Sequence, residues 1–92
     1  MLVKKLKAIP YGQCCVEIIN DNTFYLWSYR TLVAKVEKSW LTVNGLYSAT
    51  TRRHIGAFMR EYCKSDYQTA KKLYEDGYML NIDTGEVAEI DE

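Results

Sequence analysis

Four apolar residues, Ile55, Phe58, Met59 and Tyr62, recur at i, i+3, i+4 and i+7. That spacing constrains the chain more than any other feature, because it draws one apolar stripe along a helix. A single helix of this length is marginal in water and must bury its stripe against another element. The spacing predicts a main helix over about 51–63, opened by Thr50 or Thr51, whose hydroxyl can accept from the free N–H groups of the first turn. Arg52, Arg53, Gly56 and Arg60 fall away from the stripe.

The partner for that stripe is written before it, in a two-residue period. Residues 13–19 read as a strand by β-branched content, and Asn20-Asp21-Asn22 reads as a turn. Residues 23–29 follow, with Phe24 and Leu26 on one face and Tyr25, Trp27 and Tyr29 on the other. The aromatic face suits either burial under a helix or exposure for binding. Residues 31–36 form the next predicted strand, with Leu32, Ala34 and Val36 towards the core, and Trp40 to Val43 the one after it. Short polar turns between them imply antiparallel neighbours. Residues 1–9 have the Leu2, Leu6, Ile9 spacing of a short helix, but Pro10 closes them so soon, before the turn at Tyr11-Gly12, that a strand or an irregular arm is favoured.

Past the main helix, Ser65 or Asp66 can cap a second, shorter helix over about 66–76, with Ala70, Leu73 and Tyr74 on its apolar side and Gly77 as a left-handed stop. The period then returns to two at Tyr78, Leu80 and Ile82, turns at Asp83-Thr84-Gly85-Glu86, and comes back over Val87 to Ile90. The expected fold is α+β: one antiparallel sheet of about four to six short strands with two helices, in a single domain over residues 1–92.

Net charge is zero, yet the charges are divided. All twelve Lys and Arg lie in residues 1–72 against five acids there, a balance of +7, while residues 73–92 hold seven acids and no base. Such a division suits an acidic end that folds back on the basic body, or two faces for separate partners, or simply solvated acids on an edge hairpin. Eight Tyr and two Trp against two Phe give an amphipathic aromatic set of the kind found in binding hot spots and in ordinary strands.

Enzyme templates mostly fail. There is one histidine, His54, with no second His a turn away, and the three cysteines Cys14, Cys15 and Cys63 have neither C-x-x-C spacing nor an even count. The five glycines are isolated, so no phosphate-cradling loop is present. A Cys15–His54 nucleophile pair is the one catalytic constellation within reach, and no motif supports it. The expectation is a protein that is not an enzyme, with no cofactor and no metal. Met1 to Lys7 is too charged for a signal peptide and no apolar run is long enough to cross a membrane, so a reducing cytosol is the expected compartment.

The entrance to the main helix holds the candidate site: Tyr47, Thr50, Thr51, Arg52, Arg53 and His54, with Arg60 two turns on. A helix N-terminus already carries partial positive charge, so two Arg and a His in its first turn are unfavourable unless an anion answers them. His54 also suits the edge of the core, with one ring nitrogen bonded to backbone.

Ser28-Tyr29-x-Thr31-x-Val33-Ala34 and then Tyr47-Ser48-x-Thr50-Thr51-x-Arg53-His54-Ile55-x-x-Phe58 resemble a family of small proteins of unknown function encoded by phages, plasmids and related mobile elements. The resemblance runs from about Ser28 to Tyr62 and transfers no catalytic residues. It implies a mobile-element origin and a role in the bacterial host cytoplasm. The expected function is a non-enzymatic protein-binding module, in one form an inhibitor of a host factor or defence nuclease in the manner of an anti-CRISPR. Its acidic end would imitate a phosphate track. The alternative is nucleic-acid binding through Arg52, Arg53, Arg60 and the Lys4, Lys5, Lys7 arm, with tyrosines stacking on bases.

Overall fold

A computed structural model describes residues 2–10 and 12–90. It contains one seven-stranded sheet and two helices: β1 (Leu2–Lys4), β2 (Cys14–Asn20), β3 (Thr23–Ser28), β4 (Thr31–Glu37), β5 (Trp40–Val43), α1 (Ala49–Tyr62), α2 (Tyr67–Asp76), β6 (Tyr78–Asn81) and β7 (Val87–Glu89). The strands lie in the sheet in chain order, each antiparallel to the next. The helices are inserted between β5 and β6, which are nevertheless neighbours. The α+β class and the antiparallel sheet are as the sequence predicts. The strand count exceeds four to six because both end segments, the arm and the return after Gly85, pair into the sheet as the three-residue strands β1 and β7.

Both helices cover one face of the sheet. The stripe of α1 lands on β3 and β4: Phe58 meets Phe24 edge-on at 6.0 Å between ring centroids, and Tyr62 stacks on Phe58 at 5.5 Å. Ala70 and Leu73 of α2 close the same core over β5 and β6. Tyr78, Leu80 and Ile82 pack onto it from the last strands. Tyr25 and Trp27 point the other way, half-buried on the face that no helix covers, and Trp27 donates its indole N–H to Glu17 at 3.1 Å.

One predicted core position is corrected. Leu26 pairs with Ala34 but Trp27 pairs with Leu32, so Val33 is an extra residue in β4. This bulge turns Val33 inward beside Ala34 and sends Leu32 to the open face with Trp27, where strict alternation puts Leu32 inside. The β4–β5 turn is two residues, Lys38 and Ser39, both at positive φ (52° and 72°), as a hairpin of matching twist requires.

The start of α1 is also corrected. The N-cap is Ser48, whose hydroxyl accepts from the Thr51 N–H at 3.2 Å, and the helix begins at Ala49 with Thr50 and Thr51 already inside its first turn. Asp66 caps α2 in the same way and Gly77 ends it at φ 75°, as expected. The turn read at Tyr11-Gly12 lies partly, and the last two residues wholly, outside the described residues.

Candidate functional site

Ser28 ends β3 on the face turned to the helices, where the alternation Phe24, Leu26, Ser28 places a hydroxyl in the core. A polar group there needs a partner. Ser28 is 1% exposed and its Oγ lies 2.8 Å from His54 Nδ1 and 3.1 Å from Thr51 Oγ1, themselves 2% and 4% exposed. Ser48 donates to Thr51 at 3.3 Å. Each hydroxyl has one proton to give, so the bonds through Ser28 run either from Thr51 to Ser28 to His54 Nδ1 or from a protonated Nδ1 to Ser28 to Thr51. Both orders take a neutral imidazole, the first protonated at Nε2 and the second at Nδ1. Burial, and then the adjacent Arg53 charge, hold His54 below its ordinary value of 6.5, which agrees with the neutral form.

This arrangement sets a pH dependence. The unfolded chain takes up a proton at His54 below pH 6.5 and the folded chain resists it. Stability from this group is therefore full above that value and falls as pH drops towards the lowered one. Thermal melts should show a midpoint that is level from pH 8 to 7 and declines on acidification below 6.5, with His54→Asn flattening the part of the decline due to this group. An equal decline in that variant would assign the effect elsewhere.

The Nε2 edge of His54 is turned to a cleft. Two openings, of about 520 Å³ and about 390 Å³, meet at Ala8, Ile9 and Arg53 and form one groove between the N-terminal arm and the start of α1. Tyr29, Thr50 and His54 line one half; Arg52, Arg60 and Tyr67 line the other. The arm is fixed at three points. Leu6 is fully buried, Lys5 donates to the Gly12 carbonyl at 3.1 Å, and the Lys7 N–H donates to Glu61 at 2.7 Å. Gly12 lets the arm close: a Cβ there would stand 2.5 Å from Ile9 Cγ2 and 3.3 Å from His54 Nε2.

The structure thus gathers Thr50, Arg52, Arg53, His54 and Arg60 at one groove, while the other two predicted residues stand apart from it. Thr51 is buried and occupied by its hydrogen bonds. Tyr47 lines neither half and packs over Gly45, whose Cβ would fall 2.8 Å from its ring. His54 bonds a side-chain hydroxyl where the sequence suggests backbone. Tyr29, Ile9, Gly12 and Tyr67 are additions of the structure. Tyr29 and Tyr47 are both more than half exposed and both at positive φ (58° and 51°), a conformation that costs a bulky residue about 1 kcal/mol. Tyr29 sets its ring 6.0 Å from that of His54.

The cysteines divide across the sheet. Cys15 pairs with Trp27 on the open face, so the sheet separates it from His54. Cys14, paired with Ser28, is the thiol on the His54 side, and its burial raises it above the ordinary thiol range against the smaller opposing pull of Lys5. Cys63 is pushed up to about 12 by burial. Among the described residues no group of three or more His, Cys, Asp or Glu is placed to hold a metal ion. No helix is long and apolar enough to cross a membrane.

The acidic end, as far as Ile90, does not answer the arginines. Among the described residues no carboxylate forms an ion pair with Arg52, Arg53 or Arg60; the one salt bridge is Lys35–Glu37, at 3.0 Å on the open face. β7 occupies the sheet edge opposite to β1 and the arm.

A two-helix layer on a seven-stranded sheet, with a cationic groove where the first helix starts, defines a small α+β module. The chain belongs to a family of unknown function, DUF8033, whose profile matches residues 4–76. The match takes in the arm, the Ser28–Thr51–His54 cluster and the groove, and stops at the end of α2. No curated protein and no solved structure matches the chain.

Proposed function

We propose that the protein is a non-enzymatic binding module that takes an acidic segment of a partner protein into the groove between the N-terminal arm and α1. The observation that carries this reading is the grouping of Arg52, Arg53 and Arg60 opposite an apolar wall of Ala8 and Ile9, with no ion-pair partner among the described residues. Arginine and tyrosine beside an apolar wall are the residue types that dominate protein hot spots. The guanidinium fork also suits a carboxylate held two-pronged.

A binding role is favoured over catalysis by the state of the reactive groups. Thiol–imidazole chemistry needs a lowered thiol, whereas Cys14 is raised and His54 is lowered. The Ser28 hydroxyl is closed off from solvent. The resemblance to mobile-element proteins suggests a host protein as partner and an inhibitor of a host factor or defence nuclease as the concrete form.

Capture from a bacterial host lysate, repeated with Arg52→Glu/Arg53→Glu, tests this. A stoichiometric protein partner is expected with the native chain. Its affinity, measured by titration of the purified pair, should fall by about 100-fold or more in the double variant, as for charged groups at a complementary interface. A partner held equally well by both proteins would remove the groove from the interface.

The alternative, nucleic acid on the same arginines, gains one observation: the acidic hairpin lies at the far sheet edge, so the zero net charge is not spread over the groove. Binding to single- or double-stranded DNA that weakens steeply with salt, with no protein captured, would replace the first reading by this one.

A further inference from the structure

The sheet has two open edges, and they match each other. Among the described residues, β1 and β7 each present a three-residue strand whose outer row of backbone groups pairs with no further strand. Six antiparallel steps separate them, so the two edge strands run in the same direction. A second copy, rotated to follow the twist of the sheet as it is added, therefore continues the sheet, with its β1 parallel to the first copy's β7.

The side chains agree with that continuation. Leu2 and Lys4 pair with Ile18 and Val16, which face the core, so both lie on the helix-covered face of the sheet. Val87 and Glu89 pair with Leu80 and Tyr78 and lie on that same face. Read in the same chain direction, Leu-Val-Lys meets Val-Ala-Glu: Leu2 beside Val87, Val3 beside Ala88, Lys4 beside Glu89. Leu2, Val3 and Val87 are all more than half exposed in the single chain. Lys5 continues the basic edge and Glu86 precedes the acidic one.

Self-pairing of like edges is the competing arrangement, and it is disfavoured. Two β7 strands running antiparallel about Ala88 set Val87 against Glu89 and bring two acidic hairpins together. Two β1 strands set Leu2 against Lys4 and join two basic arms. Like charges placed together on neighbouring strands are destabilising.

We propose that this protein associates with further copies of itself head to tail, the basic β1 edge of one copy adding to the acidic β7 edge of the next in a continuous, open-ended sheet. The contact is heterologous, and the twist carried from copy to copy makes the growth helical, with no fixed end point. Three-residue edges make it weak and salt-sensitive.

Sedimentation velocity on the full chain tests it, from about 10 µM to about 1 mM at low ionic strength, a range suited to weak contacts. The mass should rise continuously with concentration and return to that of a monomer in about 0.5 M salt, where charges are screened within a few ångströms. Lys4→Glu and Glu89→Lys should each be monomeric throughout, because each sets like charges against each other at the joint. An equimolar mixture of the two should associate again, since the Glu89 edge of one variant meets the Lys4 edge of the other. Both changes lie on exposed edges, and unchanged circular dichroism verifies the fold. A native monomer at every concentration, a mass that stops at two copies, association that survives in both single variants, or a mixture that stays monomeric would each overturn the proposal.

Discussion

Replacing His54 with alanine is expected to cost about 3 kcal/mol and to lower the thermal midpoint by about 15 °C, given the usual shift for a domain of this size. Two losses add. Ser28 loses its bond to the imidazole and keeps only the one to Thr51, and a buried polar group deprived of a partner costs about 1–3 kcal/mol. The imidazole also leaves a void where its ring met that of Tyr29. His54→Asn places an amide oxygen near the position of Nδ1 and should cost about half as much, because the Ser28 bond can re-form. Melts of both variants against the native chain decide this. A His54→Ala midpoint within about 2 °C of native would show that the polar cluster does not hold β3 to the helix start.

Phe58→Ala should cost about 4 kcal/mol. The ring is fully buried, meets Phe24 edge-on and stacks on Tyr62, so one change removes two aromatic contacts and leaves a void between helix and sheet. A domain of about this length has a margin of about 5–15 kcal/mol, and the lower end is usual for small cores. Urea denaturation should move to a much lower midpoint, with Phe58→Leu in between. A loss under about 1 kcal/mol would mean that α1 is anchored elsewhere.

What the sequence made legible follows from where its periods are long. Ile55 to Tyr62 carries enough turns to show which side is buried, and it meets the sheet as expected. Phe24 to Ser28 shows two faces without showing which one the helix covers, because both carry aromatic residues. β1 and β7 are three residues each, so their segments can be placed as ends of the chain pattern but show no buried side. The Val33 bulge is invisible because an extra residue shifts the phase without changing composition. At the site, the arginines were legible as charges in a helix entrance, since each is local to α1. The groove was not, because its other wall is an arm more than forty residues away, closed over Gly12 and held by Glu61. Ser28 was within reach: a hydroxyl on the inward side of an alternating strand calls for a buried partner, and Thr51 and His54 supply it.

The two helices interrupt the sheet between strands that touch. Every other neighbouring pair is joined by a short connection, whereas Leu41 must find Leu80 across nearly forty residues. The entropy of closing that span falls on one junction whose register rests on two paired positions and on the Ile82 N–H donated to the Ser39 carbonyl at 2.9 Å. This makes the β5–β6 line the seam of the molecule, the place where the final hairpin can part from the rest. The groove lies mostly on the far side of that seam, but α2 crosses it, packing on both β5 and β6 and lending Tyr67 to the groove beside the arginines. An event at the acidic hairpin, whether opening, cleavage or docking, thus has a physical route to the arginine surface through that one helix.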